Sequence, residues 1–369
     1  MERDVPSRRP CTGSTRKLEA EDHIALETFA LHIAPVRSRI AWRDLLFKAG
    51  PLIALIALIA YLSIASPKFG SHANFMNIGR QTAPLAMIAI GQTFVILTGG
   101  IDLSVAAIAA FASAVTAVLM TAPLHLFGVD FGYLPIPLCI AAGLLVGLIA
   151  GIINGLIIST FRIPDFIATL GTMQVFRGVA LLTTDGQSVP GPTSTREMPD
   201  SFSWWLGSAT FGGVPISIFV VLVAAALAVY ALNFRALGRA VYAVGGNREA
   251  ARVCGISIGR TKVYVYAISG LLAAIGGVLL VARLSAANAL LAEGEELRSI
   301  ASVVIGGTNL FGGEGGVIGS LVGALLVGVL GNGLNLLGVS PFYQRIAQGV
   351  VVVLVVVFDQ WRRRGASRN

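Results

Sequence analysis

The sequence predicts an all-α, polytopic membrane protein of about ten spans with both termini cytosolic. Composition gives the first sign: of 369 residues, 55% are hydrophobic and only 12% charged, about half the charged fraction of a soluble domain. The second is the mean hydropathy, +0.79, carried by apolar runs of the roughly 20 residues that a helix needs to cross a hydrocarbon core. The third is that these runs are continuous. A membrane β-barrel would alternate apolar and polar residues along each strand, so helices are expected instead.

Residues 1–48 open the chain as a cytosolic tail. They are too long and too mixed in charge for the basic leader of a cleavable signal, and Ile64-Ala65-Ser66 after the first apolar run only faintly mimics a cleavage site. Within the tail, Arg16 to His32 reads as a surface helix or as a disordered stretch. The membrane body, 49–358, holds candidate spans at 49–66, 82–98, 101–121, 136–158, 164–183, 213–232, 263–282, 298–310, 315–337 and 342–358. The second and eighth are short, so the count runs from eight to ten. A basic tail, 359–369, closes the chain.

Charge sets the orientation. Segments assigned inside carry Arg37, Arg39, Arg43, Lys48, Arg162, the basic loop 233–262, and Arg362, Arg363, Arg364 and Arg368. Those assigned outside carry Lys68, Arg80 and Arg196, with Arg283 and Arg298 at the edges of a loop that also holds Glu293, Glu295 and Glu296. This is the positive-inside asymmetry. It also accounts for the net charge of +8 without invoking nucleic acid.

Glycine is abundant, with 43 residues, and Gly143, Gly147, Gly151 and Gly155 recur every fourth position. That row lies on one helix face and permits close helix contact. Two segments interrupt the helical pattern: Thr98-Gly99-Gly100-Ile101-Asp102-Leu103-Ser104 and Gly306 to Gly316. They read either as broken helices at membrane depth, which transporters use around binding sites, or as short cytosolic turns between spans. Adjacent Trp204 and Trp205 in the outer loop fit an interfacial anchor or a contact with a partner protein.

Several chemistries lack their residues. There is no G-x4-GK[ST] to cradle nucleotide phosphates and no HExxH. The four histidines, His23, His32, His72 and His125, fall outside the spans, so haem or zinc chemistry in the membrane has no ligands. Cys11, Cys139 and Cys254 form no spaced set. No catalytic constellation, cofactor or metal site is expected. Asp102 stands nearly alone, with Arg177, Arg345 and Glu314 as the other charges near spans; ion-coupled carriers usually bury more acids. What remains is neutral and polar: Ser104, Asn154, Thr169, Thr172, Gln174, Asn309, Asn332, Asn335 and Gln348. Amides and hydroxyls offer donors and acceptors together, which suits an uncharged polyhydroxylated solute, although they also serve as interhelical hydrogen bonds. Asn332 and Asn335 share a helix face. Asp102 either bonds a solute hydroxyl or satisfies backbone N–H groups at the Gly99-Gly100 break.

Between Arg235 and Lys262, six basic residues (Arg235, Arg239, Arg248, Arg252, Arg260, Lys262) accompany one acid, Glu249. Within this island, Asn247-Arg248-Glu249-Ala250-Ala251-Arg252 contains good helix formers bounded by Gly245-Gly246 and Gly255, which predicts a short surface helix. Glu249 in its first turn suits the helix dipole, and the small Ala250 and Ala251 leave a surface that a partner's groove can accept.

From about Asn74 to Asp359 the chain resembles the permease subunit of bacterial ABC importers for monosaccharides, the ribose/xylose/arabinose/galactoside branch. The resemblance rests on Asn77-Ile78, Gly91-Gln92-Thr93, Leu97 to Ser104, Ile153-Asn154-Gly155 and Ile163-Pro164-x-Phe166-Ile167-Ala168-Thr169-Leu170-Gly171-Thr172-Met173. It continues through Gly238-Arg239, Gly245-Gly246-Asn247-x-Glu249-Ala250-Ala251-Arg252-x-x-Gly255-Ile256, Val304-Ile305-Gly306-Gly307-Thr308 and Gly331-Asn332-Gly333-Leu334-Asn335. One departure is Ala106, where the family usually has Gly after the Asp-Leu-Ser-Val motif.

The resemblance implies a mechanism. Two copies of the permease would line one path through the bacterial inner membrane, in contact with lipid, with two ABC ATPase subunits docked beneath. Asn247, Arg248, Glu249, Ala250, Ala251 and Gly255 would form the coupling helix seated in the ATPase. A periplasmic sugar-binding protein would deliver a monosaccharide to a path that includes Asp102, Ser104, Asn154, Thr169, Asn309, Asn332 and Asn335. The permease would not itself be an enzyme, since ATP is hydrolysed on another chain. An ion-coupled carrier, or the same importer with a non-sugar polar solute, are the competing expectations.

Overall fold

The computed structural model describes residues 42–126, 129, 130, 132–192, 194–350, 353 and 357. The candidate helix at Arg16–His32 and the tail 359–369 lie outside these residues. The chain divides into two units, Met1–Lys48 and Ala49–Asn369, and the second carries the helical body.

That body is predominantly helical. Helix α1 (Trp42–Ala65) is followed by α2 (His72–Leu97), α3 (Val105–Thr121), α4 (Ile136–Phe161), α5 (Asp165–Thr184) and α6 (Ile216–Phe234). Two short helices, α7 (Ala236–Gly246) and α8 (Arg248–Val253), precede α9 (Ile258–Leu284), α10 (Glu295–Ile305) and α11 (Val317–Leu336). Residues 341–350 are again helical. Strand is confined to two small antiparallel ribbons, one pairing His125–Leu126 with Val129–Asp130 and the other Thr210–Phe211 with Val214–Pro215. Helices α1 to α11 each fall on a predicted apolar run or on the basic island, and a further short helical stretch, Asp200–Phe202 continuing into Ser203–Ser208, lies in the predicted outer loop. Among the described residues, α4, α5, α6, α9 and α11 are long and apolar enough to cross a membrane, and the apolar parts of α1 and α3 are shorter.

The longest helix, α9, is the axis of the body. It packs on α4, α2 and α3, and 72% of its apolar stretch is buried. The glycine row of α4 makes this packing possible. A Cβ on Gly147 would strike Ala274 and Gly270, one on Gly151 would strike the Tyr266 carbonyl, and one on Gly155 would meet Val263; Gly143 faces Ala112 and Thr116 on α3. The helix backbones therefore touch, as small-residue packing between membrane helices requires.

The connecting segments gather into two sets. In one, Val189 pairs with Ala287, Thr195 and Arg196 N–H groups donate to Thr121 O, Arg80 donates to Ser208 O, and Ser285 donates to Ser203. These residues all belong to segments assigned outside, or to their edges. In the other set, Gly313 N donates to Leu97 O at 3.0 Å, Arg248 Nη2 approaches Gly99 O at 3.4 Å, and Tyr242 Oη donates to Gly315 O at 2.9 Å. Both glycine-rich interruptions thus meet the basic island at one end of the bundle. Each of them joins two helices there.

Candidate functional site: the end of the bundle that carries the basic island

The surface helix forms where the sequence places it. Asn247 caps α8, its Oδ1 accepting from Glu249 N and Ala250 N at 3.0 Å each. That arrangement satisfies two of the orphan donors of the first turn. At the other end, Cys254 is the C-cap and Gly255 takes φ +78°. Gly255 N donates to Arg252 O and Ile256 N to Ala251 O, both at 3.0 Å. This pair of bonds is a Schellman closure, and the left-handed residue it needs is most easily glycine. Glu249 and Arg252 lie 3.4 Å apart on the exposed side.

The orientation of α8 corrects one expectation. The two alanines do not face outward together: Ala250 is exposed, whereas Ala251 is 3% exposed and packs against the bundle. With about 100° between adjacent residues, Ala251 falls on the strip of α8 that meets the bundle, while Arg248, Glu249, Ala250, Arg252 and Val253 fall on its exposed side. The outward apolar residue that the spacing missed is Val253, 88% exposed and three positions after Ala250.

Asp102 is wholly buried just beyond the Gly99-Gly100 turn. Its Oδ1 accepts from Ser104 N at 2.9 Å and Ser104 Oγ at 2.6 Å, and its Oδ2 accepts from Ser269 Oγ at 3.1 Å. Asn154 Nδ2 donates to Ser104 Oγ at 2.7 Å. With its amide oriented so that Nε2 faces Asp102 O and Oε1 faces Asp102 N, Gln92 pairs with both at 3.2 Å. Thr169 Oγ1 accepts from Leu103 N at 3.1 Å and lies 3.0 Å from Asp165 O. A carboxylate this buried needs hydrogen-bond partners, and here it has three donors. The group ties α2, α4, α5 and α9 to the irregular segment that leads into α3. Asn154 Oδ1 is buried without a partner in it.

Four of the seven path residues read from the sequence, Asp102, Ser104, Asn154 and Thr169, therefore come together. The other three do not join them. Asn309 shapes the second glycine-rich turn, its Oδ1 accepting from Phe311 N at 2.7 Å. Asn332 exchanges two hydrogen bonds with Asn74, at 3.0 and 3.1 Å, and Asn335 Oδ1 accepts from Gln344 Nε2 at 2.8 Å. The Asn74 pairing pins the start of α2 to the end of α11, remote from Asp102. A cavity of about 290 Å³ opens between Asn233, Tyr242 and Gly315–Gly319; none of the Asp102 group lines it. Burial raises the Tyr242 phenol pKa, so this side chain remains the donor to Gly315.

Sequence reasoning passed over two charges. Lys262, counted among the island's basic residues, is 3% exposed. Its Nζ pairs with Asp165 Oδ2, and Tyr266 Oη donates to the same oxygen at 2.9 Å. The available signal was the spacing of Lys262, Tyr266 and Ser269 on one face of α9, opposite an acid that begins an apolar helix. The other five island residues are exposed.

Buried helix–helix contacts made by glycine, apolar helices facing outward, and a capped helix projecting from one end define a multi-pass membrane permease. The chain belongs to the family described as branched-chain amino acid transport system / permease component, which it matches over residues 74–356. It is 42% identical to the ribose import permease protein RbsC of Bacillus subtilis over 325 residues, 88% of this chain and 96% of that protein. The ribose import permease protein RbsC of Escherichia coli K12 is 42% identical over 319 residues, 86% of this chain and 94% of that protein. The L-arabinose transport system permease protein AraH of E. coli K12 is 33% identical over 315 residues, 85% and 91% of the two chains. No solved structure matches the chain.

Proposed function

We propose that this chain is the permease subunit of an ATP-driven importer for a ribose-like monosaccharide. It works in the cell's inner (plasma) membrane as one of two copies, with separate ATPase subunits below and a sugar-binding protein delivering solute from outside. Near-full-length identity to ribose import permeases supports the solute class. The ten-span topology with both termini inside is supported by the two sets of connecting segments, since those assigned to the same side bond only among themselves in the contacts described above.

The observation that carries the reading is α8. It is closed at both ends by its own hydrogen bonds, yet it presents Ala250 and Val253 with nothing over them. A rigid helix with an uncovered apolar pair is formed before it meets a partner, so docking costs little ordering entropy. Seated in an ATPase groove, it would move with the nucleotide cycle. The neighbouring turns at Gly99 and Gly312 would receive that motion.

The test is co-purification and uptake. Glu249→Arg combined with Ala250→Trp is expected to reduce ATPase capture and sugar uptake together, while the protein still folds. Unchanged capture and uptake would remove α8 from the coupling role. Solute accumulation by this chain alone in liposomes, driven by an ion gradient without ATP, would sink the importer reading. Delivery assays with ribose, arabinose and galactose then rank the solutes.

A further inference from the structure

Asp165, held by Lys262 and by the Tyr266 hydroxyl, connects two helices that otherwise scarcely meet. Helix α5 packs chiefly on α3, and its backbone barely touches α9. The ion pair spans that interval, with side chains only 4% and 12% exposed for Lys262 and Asp165. Gly100 forms its wall: a Cβ there would collide with Asp165 Oδ2 and lie 2.9 Å from Lys262 Nζ and 3.1 Å from Tyr266 Oη. So the pair is lodged against the first glycine-rich turn, whose Gly99 carbonyl is approached by Arg248 of α8.

The two partners differ in what they can transmit. Lys262 lies in the second turn of α9, and α9 follows α8 after only Cys254 to Ser257. A helix is stiff along its axis, so displacement at Ser257 is carried to Lys262 a few residues on. Asp165 begins α5, directly after Pro164. Of the membrane-length helices, α5 is the least embedded in the body, with 22% of its apolar stretch buried. Its other hydrogen-bonded anchors are Thr169 near the same end and Arg177, whose Nη1 reaches Ala289 O at 3.4 Å. Its exposed midpoint carries a polar side chain, Gln174.

We propose that the Asp165–Lys262 ion pair is a mechanical link through which displacement of the α8 loop reaches α5, making both positioning residues for ATP-coupled transport. The inference rests on the importer reading given above. Solute binding is not assigned to either residue. Removing one charge would leave the other buried and unpaired, which destabilises by itself, whereas removing both is often tolerated. The informative variant is therefore the double neutral form, D165N/K262M, compared with the charge swap D165K/K262D.

The experiment uses the full complex of this chain, its ATPase and its sugar-loaded binding protein in liposomes. It reads ATPase capture, and sugar transported per ATP hydrolysed. For D165N/K262M, ATPase capture is expected at the wild-type level, with sugar transported per ATP falling roughly fivefold to tenfold, the scale of a broken coupling interaction. The charge swap is expected to recover part of that ratio. Wild-type sugar per ATP in D165N/K262M overturns the proposal. Equal losses of capture and transport in both variants also overturn it, because they assign the pair to folding. If the unaltered chain captures no ATPase, the importer reading fails first, and that control separates the two failures.

Discussion

Helices α5 and α9 are both apolar and both long enough to span a bilayer, yet the body treats them in opposite ways. In α9, 72% of the apolar stretch is buried; in α5 the figure is 22%. The glycine row of α4 clasps α9, which also presents Lys262, Tyr266 and Ser269 to polar groups. The outer side of α5 exposes Leu170, Val175, Leu181 and Leu182. Hydropathy alone does not separate a core helix from a peripheral one, because lipid and protein interior are similarly apolar. The distinction comes from small residues that allow backbone approach and from polar side chains that need partners.

The comparison can be broken most forcefully at the one ionic contact between the two helices. Lys262→Met leaves Asp165 without its cation, and a loss of about 3–5 kcal/mol is expected, seen as a lower thermal unfolding midpoint in detergent; D165N/K262M should recover most of it. An unchanged midpoint in the single variant would mean that water reaches Asp165. A smaller effect is expected where α4 meets the axis. Gly151→Ala places a methyl against the Tyr266 carbonyl and should cost about 1–3 kcal/mol by overpacking. Insensitivity to that substitution would show that α4 and α9 can separate cheaply. Leu182→Ala, at a residue of α5 that is 82% exposed, should stay within about 0.5 kcal/mol in the isolated chain. A much larger loss there would mean that α5 is covered, and would reverse the contrast.

Much of this was legible in the residues. Helix positions follow from continuous apolar runs, because a backbone in hydrocarbon must satisfy its own hydrogen bonds. The cap and closure of α8 follow from Asn247 and Gly255. What was not legible depends on residues distant in sequence. Asn332 and Asn335 share a face as predicted, but periodicity cannot reveal that Asn332 pairs with Asn74. Five of the island's six basic residues are exposed, as charges counted in bulk are expected to be. Lys262 has the same charge and the opposite environment, because it lies one turn inside a helix whose face meets Asp165. Ala251 was misjudged for a related reason: on so short a surface helix the sequence does not reveal which strip meets the bundle, and Ala251 is the residue that falls on it.

The C-cap of α8 has a practical consequence. Cys254 is an exposed free thiol beside Val253, while Cys139 is buried. An environment-sensitive maleimide dye attached there would sit at the rim of the uncovered apolar pair. With Cys11 replaced by Ser, its emission would serve as an optical gauge of how often that surface is occupied during turnover, without introducing a new cysteine.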